Sequence, residues 1–265
     1  MNRTYNLWEH GKVPLFDETI DQKEPFLTEY PVEDKNAPCV IVIPGGAYAF
    51  VSIQNEGVEI CEFLNKNNIH AFYLTYRVAP YHHPCMELDA KRAVRFVRYN
   101  AQKFGINPDK IGVMGFSAGG HLACMAGLRF DYGIADGDEI DKVSSRPDSV
   151  CPCYAVSSLD RSITHYDTRK NLLGDYENDE LAAELTGENL VKDDTPPFFI
   201  WHTAADDAVS VRCSLSLADA LAQKKTSFAL HIFPYGGHGL GTAENTILAK
   251  DWLKMYVEWL ETIGN

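Results

Sequence analysis

Apolar runs alternate with amphipathic helical patterns along this chain, and the alternation restricts the folds that it can adopt. Residues 39–46 form a continuous apolar run ending in glycines, which is typical of a strand buried on both faces of a parallel sheet. Elsewhere apolar residues return at three- and four-residue steps, as at Ala90, Val94 and Val97, which indicates helices. The pattern predicts an α/β fold with a mostly parallel sheet and helices on both faces. Ligands are then expected at the edge where the strands end.

The length and the lack of internal boundaries predict a single domain. The chain has 265 residues, 45% of them hydrophobic, which is enough for one large core. No linker, low-complexity tract or internal repeat divides it, so we expect one domain over residues 1–265. The net charge is −13, and residues 131–194 hold sixteen acids against six bases. We interpret this stretch as an irregular acidic insertion or cap, which near a ligand site would disfavour anionic substrates.

The composition disfavours several classes of partner. No basic stripe is present to meet phosphates, so nucleic acid is not an expected partner. No apolar stretch is long enough to cross a bilayer, and the first residues lack the apolar core of a signal peptide. Seven scattered cysteines favour free thiols in a reducing compartment, which predicts a cytoplasmic protein. Cys151 and Cys153 have no second Cys or His pair at zinc spacing, so no metal site is expected.

The stretch GFSAGG, residues 115–120, places a serine between glycines where a strand pattern gives way to a helix pattern. Ser117 then occupies a sharp turn in which bulky neighbours would clash, and Gly115 and Gly119 relieve the crowding. This arrangement is the G-x-S-x-G nucleophile-elbow motif. The turn also holds Ser117 at the positive end of the helix, where a developing oxyanion is favoured. We therefore interpret Ser117 as a nucleophile rather than as part of a chance glycine-rich turn.

A serine hydroxyl becomes an effective nucleophile when a base takes its proton. Nine histidines compete for this role, and His238 has the most suitable context, because it follows the last strand inside the glycine-rich stretch YGGHGLG. The base needs a carboxylate that fixes its tautomer. Asp206 and Asp207 both follow the strand pattern of residues 196–204, and either can fill this role. The chain order of serine, acid and histidine is that of α/β-hydrolases.

From about residue 38 onward, the sequence resembles the acetyl esterase/lipase group of the α/β-hydrolase superfamily. The resemblance rests on VIPGGAY, AFYLTYRVAP, LDAKRAVRFVRYNAQKFGINPDKIGVMGFSAGGHLA, PPFFIWHTAADDAVSV and GGHGLG. Small bacterial xylan or sugar acetyl esterases are the members that it resembles most. The stretch from Asp206 to Val211 is similar to the D-x-x-V-P-V turn of related hydrolases, which selects Asp206 as the acid and leaves Asp207 as the alternative.

The same resemblance implies an oxyanion hole. The stretch IPGGAY is similar in position to the H-G-G-G loop of esterases, although Pro44 stands where those enzymes have histidine. The implied donors are the backbone N–H groups of Gly46 and Ala47, joined by that of Ala118. Tyr48 and Phe116 are neighbours of this machinery in sequence, and we expect them to line the acyl side of a substrate-binding pocket.

The function implied is a serine esterase that hydrolyses short-chain esters, with acetyl esters of sugars or similar small soluble molecules as substrates. The expected partner is a small-molecule ester, and the reaction needs no cofactor. The last helix and an exposed sheet edge are compatible with a homodimer. Two other readings use the same residues. One is an arylformamidase-like amide hydrolase, since the machinery is shared across acyl groups. The other is a hydrolase-fold binding protein without turnover.

Overall fold

The computed structural model describes residues 3–263 and contains one eight-stranded sheet. The strands are β1 (Thr4–Asn6), β2 (Phe26–Tyr30), β3 (Ala37–Ile43), β4 (His70–Thr75), β5 (Ile106–Phe116), β6 (Ser149–Cys153), β7 (Phe198–Thr203) and β8 (Phe228–Phe233). Their order in the sheet is β1-β2-β4-β3-β5-β6-β7-β8. Strands β3 to β8 run parallel, whereas β2 pairs antiparallel with both β1 and β4. The mostly parallel sheet is therefore confirmed.

Helices cover both faces of this sheet. They are α1 (Glu59–Lys66), α2 (Cys85–Tyr99), α3 (Ala101–Phe104), α4 (Ala118–Leu128), α5 (Tyr166–Leu173), α6 (Asp179–Glu184), α7 (Arg212–Gln223) and α8 (Trp252–Thr262). One core lies under α2, α4 and α7, and a second lies under α1 and α8. In β3, Ile41 belongs to the first core and Val42 to the second, so the strand is apolar on both faces. Within residues 3–263, no helix is long and apolar enough to cross a bilayer.

Strands β1 and β2 were not expected from the sequence. β2 reads FLTEY, and its polar Thr28 and Glu29 interrupt the apolar pattern, yet all but the first of its five residues are buried. The strand owes its place to non-local pairing with β4, in the register Thr28 to Tyr73. Short strands of mixed polarity depend on such pairing more than on their own propensity, so a single sequence reveals them poorly.

The acidic segment, which we define as residues 131–194, is not irregular throughout. Besides β6, it contains the short helices α5 and α6. The buried Arg92 of α2 binds Asp138 and Asp141 at 2.6 and 2.8 Å. The buried Arg169 of α5 binds Asp179 at the start of α6. These acids are therefore paired with buried cations. The pairing anchors the acidic segment to the core, whereas its composition alone indicates a solvated surface segment.

All seven cysteines are free and buried. They are distributed over both faces of the sheet: Cys61 lies in the core under α1, and Cys213 lies in the core under α7. Burial raises the pKa of the Cys61 thiol well above its usual value and that of Cys213 to about 11. The thiols of Cys61 and Cys213 therefore remain protonated at neutral pH.

A fully buried ion pair joins Arg77, in the loop after β4, to Asp89 of α2. Asp89 has no exposed surface, and its carboxylate accepts the Arg77 backbone N–H at 2.9 Å and the Arg77 guanidinium at 2.7 Å. The guanidinium also donates to the carbonyl oxygens of Pro14 and Cys85 at 2.6 and 3.2 Å. Because every partner of this cation is in the protein, removal of the carboxylate would leave an uncompensated buried charge.

We expect Asp89→Ala to lower the free energy of unfolding by about 3–5 kcal/mol, because the guanidinium stays buried without its counter-ion. Urea denaturation at pH 7 measures this change. The matched control is Asp109→Ala, which removes an exposed aspartate and should change the free energy by no more than about 0.5 kcal/mol. A loss for Asp89→Ala as small as that of the control would contradict the structural role given to the pair.

Candidate active site

Ser117 lies in the turn between β5, which ends at Phe116, and α4, which begins at Ala118. Its backbone angles are φ 53° and ψ −118°, a conformation that residues with a side chain rarely adopt. The N–H of Ser117 donates to the carbonyl of Cys153 at 3.0 Å, and its own carbonyl accepts from Val156 N–H at 3.2 Å. The strained turn is therefore held by β6 and the loop that follows it.

Glycine is required at one point of this turn. A Cβ on Gly119 would lie 2.2 Å from the carbonyl oxygen of Ile43 and 2.4 Å from that of Pro44, which no side chain tolerates. The first turn of α4 thus packs directly on the backbone at the end of β3. This close approach brings Ser117 beside the loop that follows β3.

His238 lies in the loop after β8 and reaches back to the serine. Its Nε2 is 2.8 Å from Ser117 Oγ, and its Nδ1 is 2.8 Å from Asp206 Oδ2. A carboxylate at Nδ1 fixes the tautomer that carries the proton there, which leaves Nε2 free to accept the serine proton. The structure thus brings together the three residues that the sequence indicated.

Asp206 lies in the loop after β7, and its side chain has no exposed surface. Besides His238, the Nε2 atom of His202 lies 3.2 Å from Oδ2, and the N–H groups of Ala208 and Val209 donate to Oδ1 at 3.0 and 2.9 Å. Burial alone would raise the pKa of this carboxyl, but the histidines and the Val209 N–H outweigh it and hold the pKa well below its usual range. Asp206 therefore stays ionised at any pH at which the imidazole can act as a base.

The neighbouring carboxylate has a different environment. Asp207 is exposed, and within residues 3–263 its side chain accepts no hydrogen bond. His202 lies in β7, is fully buried, and places its Nε2 beside the Asp206 carboxylate. The only local sign of this contact is the four-residue spacing between the two residues across the end of β7.

The loop after β3 lies against the serine. The Cβ position of Gly45 is 3.0 Å from Ser117 Cβ. Gly46 and Ala47 have φ angles of 127° and 52°, and neither backbone N–H donates a hydrogen bond within the part of the chain that the structure describes. Ala118 is the first residue of α4, so its N–H has no partner inside the helix. Unused backbone donors on both sides of Ser117 are what an oxyanion hole requires.

The two expected substrate-binding side chains do not face a pocket. Tyr48 is fully buried, and its hydroxyl lies 2.8 Å from His121 Nδ1. Phe116 is fully buried on the opposite face of the sheet, where its ring packs on Tyr154 and Trp252. Nearness in sequence misled here, because the Phe116 side chain packs into the core under α1 and α8 and the Tyr48 side chain packs into the core under α2, α4 and α7. Both residues contribute to the core, and this correction leaves the pocket lining to other residues.

The sequence also missed a buried carboxylate. Glu56 lies in a π-helical turn, Gln54–Val58, directly before α1, and its side chain reaches between the loops around the site. Nothing in the pattern of residues 54–67 separates this acid from Glu59 and Glu62 of α1, which are less buried. Within residues 3–263, no group of three or more His, Cys, Asp or Glu side chains has an arrangement suited to a metal ion.

The fold and this serine–histidine–aspartate geometry together define the chain as an α/β-hydrolase. The chain belongs to the BD-FAE family, whose sequence model matches residues 28–221. A crystal structure of an acetyl ester-xyloside bifunctional hydrolase from Caldicellulosiruptor lactoaceticus is 44% identical, with a TM-score of 0.95, and the match covers 99% of this chain and 96% of that one.

Two longer proteins are also similar. Endo-1,4-beta-xylanase B of Butyrivibrio fibrisolvens is 39% identical over 80% of this chain and 34% of its own length. The acetylxylan esterase of Xylanibacter ruminicola is 29% identical over 99% of this chain and 49% of its own length. The chain therefore spans between a third and a half of the length of these two relatives.

The contrast between the two adjacent aspartates gives a direct test of the site. We expect Asp206→Asn to slow the labelling of Ser117 by a fluorophosphonate probe by about 10³–10⁴-fold, because an amide in place of the carboxylate no longer fixes the productive tautomer. Asp207→Asn, the matched control one residue away, should label at the rate of the unmodified protein. Mass spectrometry of the labelled peptide measures both rates, and an equal effect of the two substitutions would contradict the assignment of the acid.

Proposed function

We propose that this protein is a serine esterase that hydrolyses short-chain carboxylic esters through an acyl-enzyme, with acetyl esters of sugars as the substrates. The observation that carries the proposal is the continuous hydrogen-bonded relay from Ser117 Oγ through His238 to Asp206, with both contacts at 2.8 Å. A binding protein has no chemical need for such a relay. The relay lies where β5, β7 and β8 end, at the edge of the sheet where α/β proteins bind ligands.

In the proposed reaction, Ser117 attacks the ester carbonyl while His238 accepts its proton at Nε2. The N–H groups of Gly46, Ala47 and Ala118 stabilise the oxyanion of the tetrahedral intermediate. His238 then returns the proton to the departing alcohol, which leaves the acyl group on Ser117. Water, activated by the same imidazole, attacks the acyl-enzyme and releases the acid.

The surroundings of the serine favour a small acyl group. Ser117 is only 8% exposed, so an acyl chain has to fit into a confined space beside it. Two of the similar proteins are described as an acetylxylan esterase and an acetyl ester-xyloside bifunctional hydrolase. These descriptions support acetyl as the acyl group and a xylose-containing sugar as the alcohol.

The acidic segment supports an uncharged alcohol side. Asn171 of α5 donates from its side chain to the Ala47 carbonyl at 2.9 Å, which attaches this segment to the loop beside Ser117. The segment holds sixteen acids against six bases. A substrate carrying carboxylate or phosphate groups would meet a repulsive potential there, whereas a neutral sugar would not.

We also propose a cytoplasmic location and a homodimer. Seven free, buried thiols are compatible with a reducing compartment. Strand β8 is the last strand of the sheet, and most of its residues are only partly buried, so the edge is available to a second copy. Nucleic acid is not proposed as a partner because the net charge is −13.

The substrate proposal predicts a steep dependence on acyl length. With 4-nitrophenyl esters from acetate to octanoate, we expect kcat/KM to be highest for acetate and to fall with each longer acyl chain, since the confined space excludes long chains. Ser117→Ala should abolish the activity, and its unchanged thermal melting would show that the variant is folded. Release of acetate from acetylated xylan then tests the alcohol side.

Two outcomes would point elsewhere. If the folded protein hydrolyses a formyl-aryl amide faster than any ester, the same residues serve an amide hydrolase. If it hydrolyses neither and Ser117 is not labelled by a fluorophosphonate, the proposed catalysis is absent.

A further inference from the structure

A buried carboxylate lies between the two loops that the proposed reaction depends on. We define the oxyanion loop as residues 44–47 and the histidine loop as residues 234–241. Glu56, in the π-helical turn that follows the oxyanion loop, is only 3% exposed. The proposed reaction assigns it no role. Single π-helical turns are frequent at functional sites, where they redirect a side chain.

Glu56 binds the oxyanion loop directly with one carboxylate oxygen and reaches the histidine loop through Tyr154 with the other. Oε2 accepts the N–H of Gly45 at 2.8 Å, and Oε1 accepts the hydroxyl of Tyr154 at 2.7 Å. The Tyr154 oxygen in turn accepts the N–H of Gly241 at 2.9 Å. One carboxylate and one phenol therefore connect the oxyanion loop to the histidine loop through three hydrogen bonds between buried groups.

The residue before Glu56 adds a second connection. Asn55 donates from its side chain to the carbonyl oxygen of Gly239 at 2.8 Å. Gly239 directly follows His238 in the chain. The π-helical turn thus binds the histidine loop at two points, one on each side of residue 240.

Tyr154 also contacts the base itself. Its ring lies against the His238 imidazole, with ring centroids 5.1 Å apart and planes at 72°. Tyr154 directly follows β6, and its N–H donates to the Trp201 carbonyl in β7 at 2.8 Å. The ring position is therefore set by the sheet, so a change at Tyr154 is transmitted to His238 rather than absorbed by a mobile segment.

The carboxylate is retained at a cost. Burial raises the pKa of Glu56, and the hydrogen bonds from Tyr154 and Gly45, with the nearby charge of His238, oppose this only in part. A buried acid with a raised pKa lowers the stability of the fold at neutral pH relative to an apolar residue of the same size. An apolar residue at this position would fill the same space but could not make the hydrogen bonds that connect the two loops.

We propose that Glu56 and Tyr154 are positioning residues that hold the oxyanion loop and His238 in their reactive arrangement around Ser117. This inference rests on the proposed esterase function. The pair touches no reacting atom, and it acts by fixing the distance between the donors that receive the oxyanion and the imidazole that moves the proton. A displacement of about 1 Å between such groups can cost on the order of a hundredfold in rate.

Three variants test the proposal. Glu56→Leu removes both hydrogen bonds at similar volume, Glu56→Gln keeps an acceptor for only one of the two donors, Gly45 N–H and Tyr154 O–H, and Tyr154→Phe removes only the bridging hydroxyl. With 4-nitrophenyl acetate, we expect kcat to fall about a hundredfold for Glu56→Leu and about tenfold for Tyr154→Phe, at unchanged KM. Glu56→Gln should lose less activity than Glu56→Leu, because it keeps one of the two hydrogen bonds at the same volume. Tyr256→Phe, a buried tyrosine of α8 outside this network, is the matched control and should keep full activity.

The second readout needs no substrate. The proton shared by His238 Nδ1 and Asp206 should give a low-field proton NMR signal, which we expect to shift or broaden in Glu56→Leu and Tyr154→Phe and to stay unchanged in Tyr256→Phe. A kcat within twofold of the unmodified protein for both network variants, with an unchanged signal, would overturn the proposal. If Glu56→Leu does not fold, the activity and the NMR signal of Glu56→Gln and Tyr154→Phe test the proposal in its place. If the unmodified protein hydrolyses no ester, the proposed function fails, and the NMR signal still tests the network.

Discussion

The site depends on the backbone of one residue, Ser117, held at a positive φ between a strand and a helix. Such a conformation costs on the order of 1–3 kcal/mol and persists only when the surroundings fix it. Here β6 supplies the fixing contacts, since Cys153 and Val156 bind the peptide groups of Ser117, and the close packing of Gly119 on β3 prevents the turn from relaxing. The parallel sheet is thus the support that holds the hydroxyl at its edge, within hydrogen-bonding distance of His238.

Two buried carboxylates adjoin this turn, and their environments differ. Asp206 accepts hydrogen bonds from two backbone N–H groups and lies against two imidazoles, which stabilise its charge and lower its pKa. Glu56 has one phenol and one N–H, and burial dominates, so its pKa is raised. The first environment suits a permanent counter-charge to His238. The second suits a hydrogen-bonding bridge whose geometry matters more than its charge.

The fold class, Ser117 and His238 were predicted from local patterns: apolar runs, a glycine-flanked serine and a histidine in a glycine-rich stretch after a strand. The local pattern left Asp206 and Asp207 open, and the resemblance to related hydrolases selected Asp206. The other features of the site depend on contacts between residues that are far apart in the chain. The contact between Glu56 and Tyr154 spans 98 residues, and no periodicity encodes it. Tyr48 and Phe116 illustrate the opposite error, since they are close to the site in sequence but their side chains are buried in the two cores of the fold. Strand β2 shows that pairing can override a mixed polar pattern.

Because all seven thiols are buried, their alkylation reports local opening of the structure. An alkylating reagent in solution can reach Cys61 only when the layer of α1 opens and Cys213 only when that of α7 opens. Modification at either site would therefore count opening events on one particular face of the sheet. The alkylation rates of Cys61 and Cys213 therefore report local opening on the two faces of the sheet, and mass spectrometry of the modified peptides measures them separately.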